Sequence, residues 1–285
     1  MKDSEEIELA RARLKILKYW FEGKKNGVSF GELLDKEFGR SFAMKAKSVI
    51  QSTKVIGTFL EVKFRGFQYP LYYPAEMPLH SLYQVVAETL FNHDWHYYES
   101  ERTRIDRQDV VVDCGAGEGL FSLFAAKRCR KVYAIEPLPR FVQAMKLTFS
   151  AFRNVEIIQC ALSDHQGIAH LRPSGISSSL STHSHEDITV KTDTVDNLFF
   201  KKGIKVNFMK ADLEGSEMEM LQGAYRTLKT YSPKIAITTY HKREHARKIS
   251  DFLENVNPNY EISLRGLHAN YGSFVMLHAN AMNRP

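Results

Sequence analysis

From about residue 105 to residue 279, short apolar runs alternate with stretches whose apolar positions recur at helical spacing. Such runs are typical of buried strands, and the helical spacing indicates crossover helices between them. The alternation predicts an α/β fold with an open sheet of mainly parallel strands. Two last runs, 260–264 and 273–279, are joined by a loop, so we expect them to pair antiparallel. The five earlier runs are DVVVDC (109–114), KVYAI (131–135), VEIIQC (155–160), KVNFMKAD (205–212) and KIAITTY (234–240).

The first hundred residues have a different pattern. Helical spacing recurs four times, over about 4–22, 29–38, 41–52 and 78–91. Two apolar runs, 56–64 and 66–73, predict a hairpin around Arg65–Gly66. We therefore expect two parts. Residues 1–100 would form a mainly helical N-terminal region with a β-hairpin, and residues 101–285 the α/β domain.

Three helices followed by a hairpin have the outline of a winged helix, but also of units that cap an active site or form a homodimer. In the winged-helix interpretation, Lys45, Lys47 and Lys54 would face a phosphate backbone. The aromatic segment FNHDWHYYES (91–100) could cover a cationic ligand or pack between the two parts. Of these interpretations we favour the cap.

Composition sets broad limits on the class of protein. The chain has 285 residues, 44% apolar and 25% charged, and a net charge of +6 that is compatible with nucleic acid or an anionic cofactor. Cys114, Cys129 and Cys160 are widely spaced, as expected of reduced, buried thiols. The charged N-terminus is unlike a signal peptide, and no apolar stretch approaches about 18 residues. We therefore expect a cytoplasmic protein that does not associate with membranes.

Three glycines follow the first strand of the α/β part, in VVVDCGAGEGLFS (110–122). Gly115, Gly117 and Gly119 would let the backbone approach a ligand closely and turn into a helix, whose N-terminus offers free N–H groups. The spacing is tighter than in the GxGxxG turn of dinucleotide enzymes, and an acid, Asp113, precedes it. No Lys-Ser/Thr pair follows, which excludes a phosphate-binding P-loop.

A second acid, Glu136, ends the next predicted strand. Its carboxylate could accept both hydroxyls of a ribose, as an acid does in dinucleotide enzymes too. Glu118 adds a negative charge to the turn, which disfavours a pyrophosphate and suits a cationic ligand. The turn after the third strand could cover an adenine. The predicted cofactor-binding residues are Asp113, Gly115, Ala116, Gly117, Gly119, Glu136, Pro137, Ala161, Leu162 and Ser163.

Five blocks in this order resemble the FkbM-like family of S-adenosylmethionine-dependent methyltransferases: VVDCGAGEGLFSLFAA, YAIEPLPRF, CALSD, VKTDTVDNL and MKADLEGSEMEMLQGA. The resemblance covers about 105–279, and its last block is the most specific. Glu118 replaces a common Asn, Ala211 replaces an aliphatic residue, and TTYH (238–241) stands where an acid-containing strand end is common.

The resemblance implies a fold, a cofactor and an activity. The fold would be a Rossmann-like, seven-stranded methyltransferase sheet with its last strand antiparallel. The cofactor would be S-adenosyl-L-methionine. The activity would be O-methylation of a hydroxyl on a sugar, glycan or polyketide-like metabolite, so the expected partner is a small-molecule or glycan substrate.

The predicted catalytic residues follow the fourth and fifth strands. By period-two alternation, Lys210, Asp212 and Glu214 share one face, and Glu214 should begin the next helix. Asp212 could contact the acceptor or position the cofactor. His241 should lie beside it and could act as the base, since histidine titrates near neutral pH. Glu214 could equally cap a helix, and His241 could be an ordinary strand-end residue.

Several alternatives stay open at this point. We assign no metal ligand, although Asp212, Glu214 and His241 could hold magnesium or manganese. The protein could methylate or bind RNA or DNA through its N-terminal region, or bind S-adenosylmethionine without catalysis. The long connection 165–200, serine-rich in its middle, could overhang the site and select the substrate.

Overall fold

The computed structural model describes residues 2–171 and 188–281. Among these residues, every helix is too short or too polar to cross a bilayer. The N-terminal elements are α1 (Lys2–Phe21), α2 (Phe30–Phe38), α3 (Phe42–Val49), β1 (Ile50–Ile56), β2 (Phe59–Phe64), β3 (Leu71–Pro74) and α4 (Leu79–Leu90).

The later elements begin after an irregular stretch that contains the aromatic segment 91–100. In chain order they are β4 (Val110–Cys114), α5 (Leu120–Ala126), β5 (Lys131–Ile135), α6 (Pro139–Thr148), β6 (Val155–Ile158), β7 (Ala161–Leu162), β8 (Gly167–Leu171), β9 (Ile188–Asp193), α7 (Val195–Leu198), a 3-10 turn (Phe200–Lys202), β10 (Phe208–Ala211), α8 (Glu217–Gln222), α9 (Tyr225–Tyr231), β11 (Lys234–Thr238), α10 (His245–Val256), β12 (Tyr260–Arg265) and β13 (Met276–Ala281).

The central sheet has seven strands in the order β12-β13-β11-β10-β4-β5-β6. The strands β4, β5, β6, β10 and β11 are parallel, whereas β13 is antiparallel to both neighbours. The predicted α/β class and the antiparallel last strand are confirmed. Because the chain moves outward from β4 in both directions, the topological switch point lies between β4 and β10. Open sheets of this kind bind their ligands at that point, outside the carboxyl ends of the strands.

A second, three-stranded sheet in the order β7-β9-β8 was not predicted. The third strand of the central sheet stops at Ile158, two residues earlier than expected. Ala161 and Leu162 instead pair with Thr192 and Asp193 of β9. The ends of the connection 165–200 thus form β8 and β9, while its serine-rich middle, 172–187, lies outside the described residues.

The predicted N-terminal helices are confirmed, but the third ends earlier than expected. The helix predicted over 41–52 ends at Val49, because Ile50–Ile56 form strand β1 and pair antiparallel with β2. The β-branched residues of this segment favour a strand. Gly57, with φ +60°, begins the reversal into β2. The predicted hairpin corresponds to β2 and β3, which are joined by residues 65–70.

Lys45 does not face solvent, which corrects the predicted phosphate-facing set. Its side chain is buried, and its Nζ lies 3.6 Å from Asp94 Oδ2. Lys36 Nζ approaches the same oxygen at 3.1 Å. The face of α3 that carries Lys45 packs toward the aromatic segment, so its ammonium must find a carboxylate inside the protein. Lys47 and Lys54 are exposed.

The hydrophobic core joins the N-terminal sheet to the central sheet. Val62, Leu71 and other side chains of β2 and β3 belong to one buried cluster with Leu120 of α5 and Phe141 of α6. A second cluster fills the opposite face of the central sheet, under α8, α9 and α10. Helix α5 is therefore covered on its outer side by the N-terminal region. As predicted, the three cysteines are free and buried.

Asp94→Asn should destabilise the fold strongly. The substitution leaves the buried Lys45 ammonium without its carboxylate, which we expect to cost about 3–5 kcal/mol of unfolding free energy. The matched control is Asp251→Asn, at an exposed position of α10, which should change stability by less than about 0.5 kcal/mol. Urea unfolding followed by circular dichroism measures both. Equal stabilities of the two variants would contradict a structural role for this ion pair.

Candidate functional site

The glycine turn lies against the end of β10. Gly115, Gly117 and Gly119 have φ angles of +74°, +55° and +84°, in the left-handed region that favours glycine. A β-carbon at Gly115 would stand 2.1 Å from the carbonyl oxygen of Asp212. The turn can therefore touch the strand end only because this position lacks a side chain.

Open space lies beside Gly117. This residue is buried, yet a β-carbon built on it would meet no atom within 4 Å. Its N–H donates to Glu136 Oε2 at 2.9 Å, and the N–H of Leu138 donates to Oε1 at 2.9 Å. Each carboxylate oxygen retains a lone pair for a ligand hydroxyl. The structure thus brings the predicted glycine turn (Gly115–Gly119) and the predicted acid Glu136 to the same open space, which we call the cradle.

Asp113 points into the protein rather than into this cradle. Ser122 Oγ donates to its Oδ2 at 2.7 Å, and Lys210 Nζ lies 3.1 Å from its Oδ1. Lys210 also donates to the carbonyl oxygen of Gly115 at 2.6 Å. These contacts let Asp113 hold the turn in place through Lys210, and a direct contact with a cofactor stays a prediction.

The other predicted cofactor residues differ in burial and in their contacts. Ala116 is buried, and Pro137 and Ala161 are half-buried. Leu162 belongs to the core cluster of the central sheet. Ser163 Oγ donates to Asp164 at 3.1 Å. Their roles toward an adenine stay predictions.

Three polar groups from different elements lie near one another, since the charges of Glu118 and Arg140 both act on the Tyr73 hydroxyl. Glu118 is buried, and burial together with the Asp113 charge raises its pKa to about 7, although its hydrogen bonds and Lys210 oppose the shift. The buried atoms Tyr73 Oη and Arg140 Nε have no hydrogen-bond partner among the described residues. A buried polar atom without a partner is costly, so this cluster suits a ligand that carries both positive and negative groups.

The predicted acceptor residues Asp212 and His241 lie together at the ends of β10 and β11. His241 Nε2 is 3.7 Å from Asp212 Oδ1 and 3.4 Å from Glu214 Oε2. Tyr98 Oη donates to Asp212 Oδ2 at 2.9 Å, and Thr238 Oγ1 donates to Oδ1 at 3.2 Å. Lys210 and Asp212 both contact Tyr98, which confirms that they share a face.

The expectation that Glu214 begins a helix was wrong. Glu214 and Gly215 have φ angles of +52° and +102° and form a turn, and α8 begins at Glu217. Glu217 Oε1 accepts the N–H groups of Leu213 and Gly215 at 3.0 and 3.3 Å, which fixes this turn. Because the turn is not helical, the carboxylate of Glu214 can reach His241.

Glu217 was not among the predicted site residues, and it organises the histidine. An ionised carboxylate only accepts hydrogen bonds, so His241 Nδ1 donates to Glu217 Oε1 at 2.9 Å. His241 Nε2 is buried and has no hydrogen-bond partner among the described residues. The signal available in the sequence was the second glutamate of the DLEGSE block. Tyr98 had a weaker signal, its place in the aromatic segment.

Charges set the protonation states of this group. Burial lowers the pKa of His241, but the Glu217 hydrogen bond and the charges of Asp212, Glu217 and Glu214 raise it to about 9. Burial raises the pKa of Asp212, but Lys210, His241 and the Tyr98 hydroxyl bring it below its ordinary value. At neutral pH His241 is therefore protonated and Asp212 ionised, unlike the near-neutral histidine that we expected.

A metal ion is an alternative occupant of this cluster. Asp212, Glu217 and His241 offer ligand atoms within 4.8 Å of one another, and no cluster among the described residues includes Glu214. Glu217 Oε1 already accepts two backbone N–H groups and the His241 proton. Hydrogen bonds therefore account for this carboxylate, and we assign no metal ligand.

Comparisons with known proteins agree with this fold. Residues 113–260 match the family described as the methyltransferase FkbM domain. An uncharacterized protein of Methanocaldococcus jannaschii is 42% identical over 57 residues, 19% of this chain and 22% of its own. A probable ribosomal RNA small subunit methyltransferase A of Thermococcus onnurineus is 41% identical over 59 residues, 21% of each chain. This chain thus matches about a fifth of the length of each relative.

Among solved structures, the methyltransferase FkbM of Methylobacillus flagellatus KT is similar with a TM-score of 0.48 and 20% identity, over 70% of this chain and 54% of that one. The family match assigns residues 113–260 to a class of methyltransferase domains. More narrowly, the chain belongs to the FkbM methyltransferase family. Its cofactor is S-adenosylmethionine.

The cradle residues fit this cofactor. The open space at Gly117 and the free lone pairs of Glu136 suit a ribose, and the cluster of Glu118, Tyr73 and Arg140 suits an ammonium and a carboxylate on one amino-acid group. Lys210 is neutralised by Asp113, so its ammonium does not oppose a sulfonium, and Arg140 is available to pair with the ligand carboxylate.

Gly117→Ala should remove cofactor binding without unfolding the protein. The methyl group would occupy the open space of the cradle, so we expect at least about tenfold weaker binding of S-adenosylhomocysteine in calorimetry. Gly57→Ala is the matched control, with a similar φ of +60° and equally open surroundings in an exposed turn. Both variants should lose about 1–2 kcal/mol of stability from backbone strain. Unchanged affinity in Gly117→Ala would place the cofactor elsewhere.

Proposed function

We propose that this protein transfers a methyl group to a hydroxyl of a sugar, glycan or polyketide-like metabolite. One observation carries the proposal. His241 presents a buried Nε2 that has no hydrogen-bond partner in the part of the chain that the structure describes. This atom lies beside the Asp212 and Glu214 carboxylates, while Nδ1 is fixed by Glu217. A positioned nitrogen between two hydrogen-bond acceptors is what a hydroxyl group needs in order to be oriented and to lose its proton.

Each side chain of the group has a distinct role in this proposal. S-adenosylmethionine supplies, when bound, a methyl group on a sulfonium. Asp212, held by Tyr98 and Thr238, orients the acceptor hydroxyl by accepting a hydrogen bond, and His241 Nε2 receives its proton. Glu217 is a positioning residue, since it acts through His241. Alignment of this kind is the main contribution that a protein makes to an in-line transfer.

The charge of the acceptor side favours a neutral polyol. Asp212 and Glu214 present carboxylate oxygens, which accept hydrogen bonds from hydroxyls and repel phosphates. The nearest cations, Lys210 and the protonated His241, are already paired with Asp113 and Glu217. A sugar or glycan hydroxyl therefore suits the site better than the backbone of a nucleic acid.

RNA methylation is the second candidate. It is favoured by the local similarity to a probable ribosomal RNA methyltransferase. The N-terminal region supports it less than expected, because Lys45 is paired with Asp94 and only Lys47 and Lys54 of the predicted set are exposed. RNA binding that weakens steeply with salt would favour this candidate.

His241→Gln and Asp212→Asn should abolish transfer while leaving the cofactor bound. We expect kcat to fall by at least about 100-fold when S-adenosylhomocysteine release is measured over a panel of glycosides and hydroxylated metabolites. Affinity for S-adenosylhomocysteine should change less than about threefold in calorimetry. The control is His80→Gln, an exposed histidine of α4. No release with any hydroxylated acceptor, together with methylation of RNA by the wild type, would overturn the proposal.

The rate should rise with pH up to about 9. His241 is protonated below its pKa of about 9, so the fraction of neutral imidazole, and with it the rate, should fall about tenfold per pH unit below that value. Glu217→Gln keeps an acceptor for His241 Nδ1 but removes a negative charge that raises this pKa, so the profile should shift to lower pH. Glu219→Gln, on the same helix but paired with Lys242, is the control and should not shift it. A profile that is flat from pH 6 to 10 would exclude His241 as the base.

A further inference from the structure

A cavity of about 350 Å³ lies between the N-terminal region and α5, apart from the cradle. Val49, Phe64 and Leu90 line it from the N-terminal side, and Phe121 and Phe124 from α5. Its lining residues are distinct from the glycine turn, and Tyr98 is the lining residue that also contacts the group around His241. The cavity is half-open to solvent and is lined by both apolar and polar groups. Its volume falls in the range of small-molecule sites, which occur preferentially where two parts of a protein meet.

The polar groups that line this cavity include two arginines, one of them, Arg65, at the exposed rim. Arg128 Nη2 lies 2.7 Å from Glu99 Oε1, so this arginine is neutralised. The other oxygen of Glu99 accepts the N–H of Ile105 at 2.9 Å, which fixes the pair. Arg65 also lines the cavity, and no ion pair involves it within the described ranges. A ligand with a single negative charge would complement Arg65.

The aromatic residue Tyr98 forms the wall between this cavity and the acceptor residues. Its ring lines the cavity and packs edge-on against Phe121, with ring centroids 5.4 Å apart. Its hydroxyl donates to Asp212. A ligand in the cavity would therefore touch the side chain that holds Asp212.

We propose that this cavity is a second binding site, which takes a small organic anion with a flat apolar body and one carboxylate, sulfonate or phosphate group. The apolar body lies against the wall formed by Phe64, Phe121 and Phe124, and the anion faces Arg65. The proposal does not depend on the methyl acceptor, because the cavity shares only the Tyr98 wall with that site. Binding at this site is also independent of S-adenosylmethionine.

The test is calorimetric titration of the full chain with 2-naphthoate and with its neutral analogue 2-naphthamide. We expect 2-naphthoate to bind at least tenfold more tightly than 2-naphthamide. Arg65→Gln should remove this preference by weakening 2-naphthoate alone, and the exposed Arg107→Gln should leave it unchanged. Equal affinities for the two probes, or no binding of either, would overturn the proposal.

Two further measurements locate the bound probe. Thr89→Phe introduces a ring into the cavity from α4 and should abolish binding of both probes, with folding checked by thermal unfolding. If this variant does not fold, the Arg65→Gln result still decides. Saturating S-adenosylhomocysteine should change the affinity for 2-naphthoate less than threefold. Competition between the two ligands would show that the probe occupies the cofactor cradle, and would overturn the proposal.

Discussion

The buried ion pair between Lys210 and Asp113 is the interaction on which the rest of the site depends. It joins neighbouring strands β10 and β4 at their carboxyl ends, and the same ammonium binds the carbonyl oxygen of Gly115. The glycine turn is therefore fixed by the Lys210 ammonium, which lies on the neighbouring strand β10. Since Asp212 lies two residues beyond Lys210, the ion pair also fixes the position of Asp212. Breaking such a pair leaves an uncompensated charge inside the protein. A substitution of either residue would therefore disturb both the glycine turn and Asp212.

The region around this ion pair contains more carboxylates than cations. Each carboxylate makes a different set of contacts. Asp113 neutralises Lys210, Glu136 holds the backbone of the turn, and Glu217 holds both the turn after β10 and the histidine. Asp212 and Glu214 direct oxygens toward the space beside His241 Nε2. This division explains how one small region can carry many acids and still present a defined face to an acceptor.

Much of the fold could be predicted from the sequence, because buried parallel strands and glycine turns have strong local patterns. Less of the site could be predicted. The strand β1 was missed because its alternation is weak and it is exposed along its length, and Lys45 was misplaced because its partner Asp94 is distant in the sequence. The role of Glu217 depends on the left-handed turn at Glu214, which no local pattern indicated. The raised pKa of His241 results from three carboxylates that meet only in the folded chain.

The shared core has a consequence for building chimeric enzymes. Side chains of β2 and β3 pack directly on α5 and α6, and Tyr98 reaches from the aromatic segment to Asp212. Exchanging the N-terminal region between relatives at residue 100 would therefore cut through one packed interior and replace one of the two donors to Asp212. A transplant that is meant to change substrate preference would have to carry the outward faces of α5 and α6 with it. Recombination sites are better sought in the loops that join α9 to β11 and α10 to β12, which lie at the opposite ends of the strands from His241.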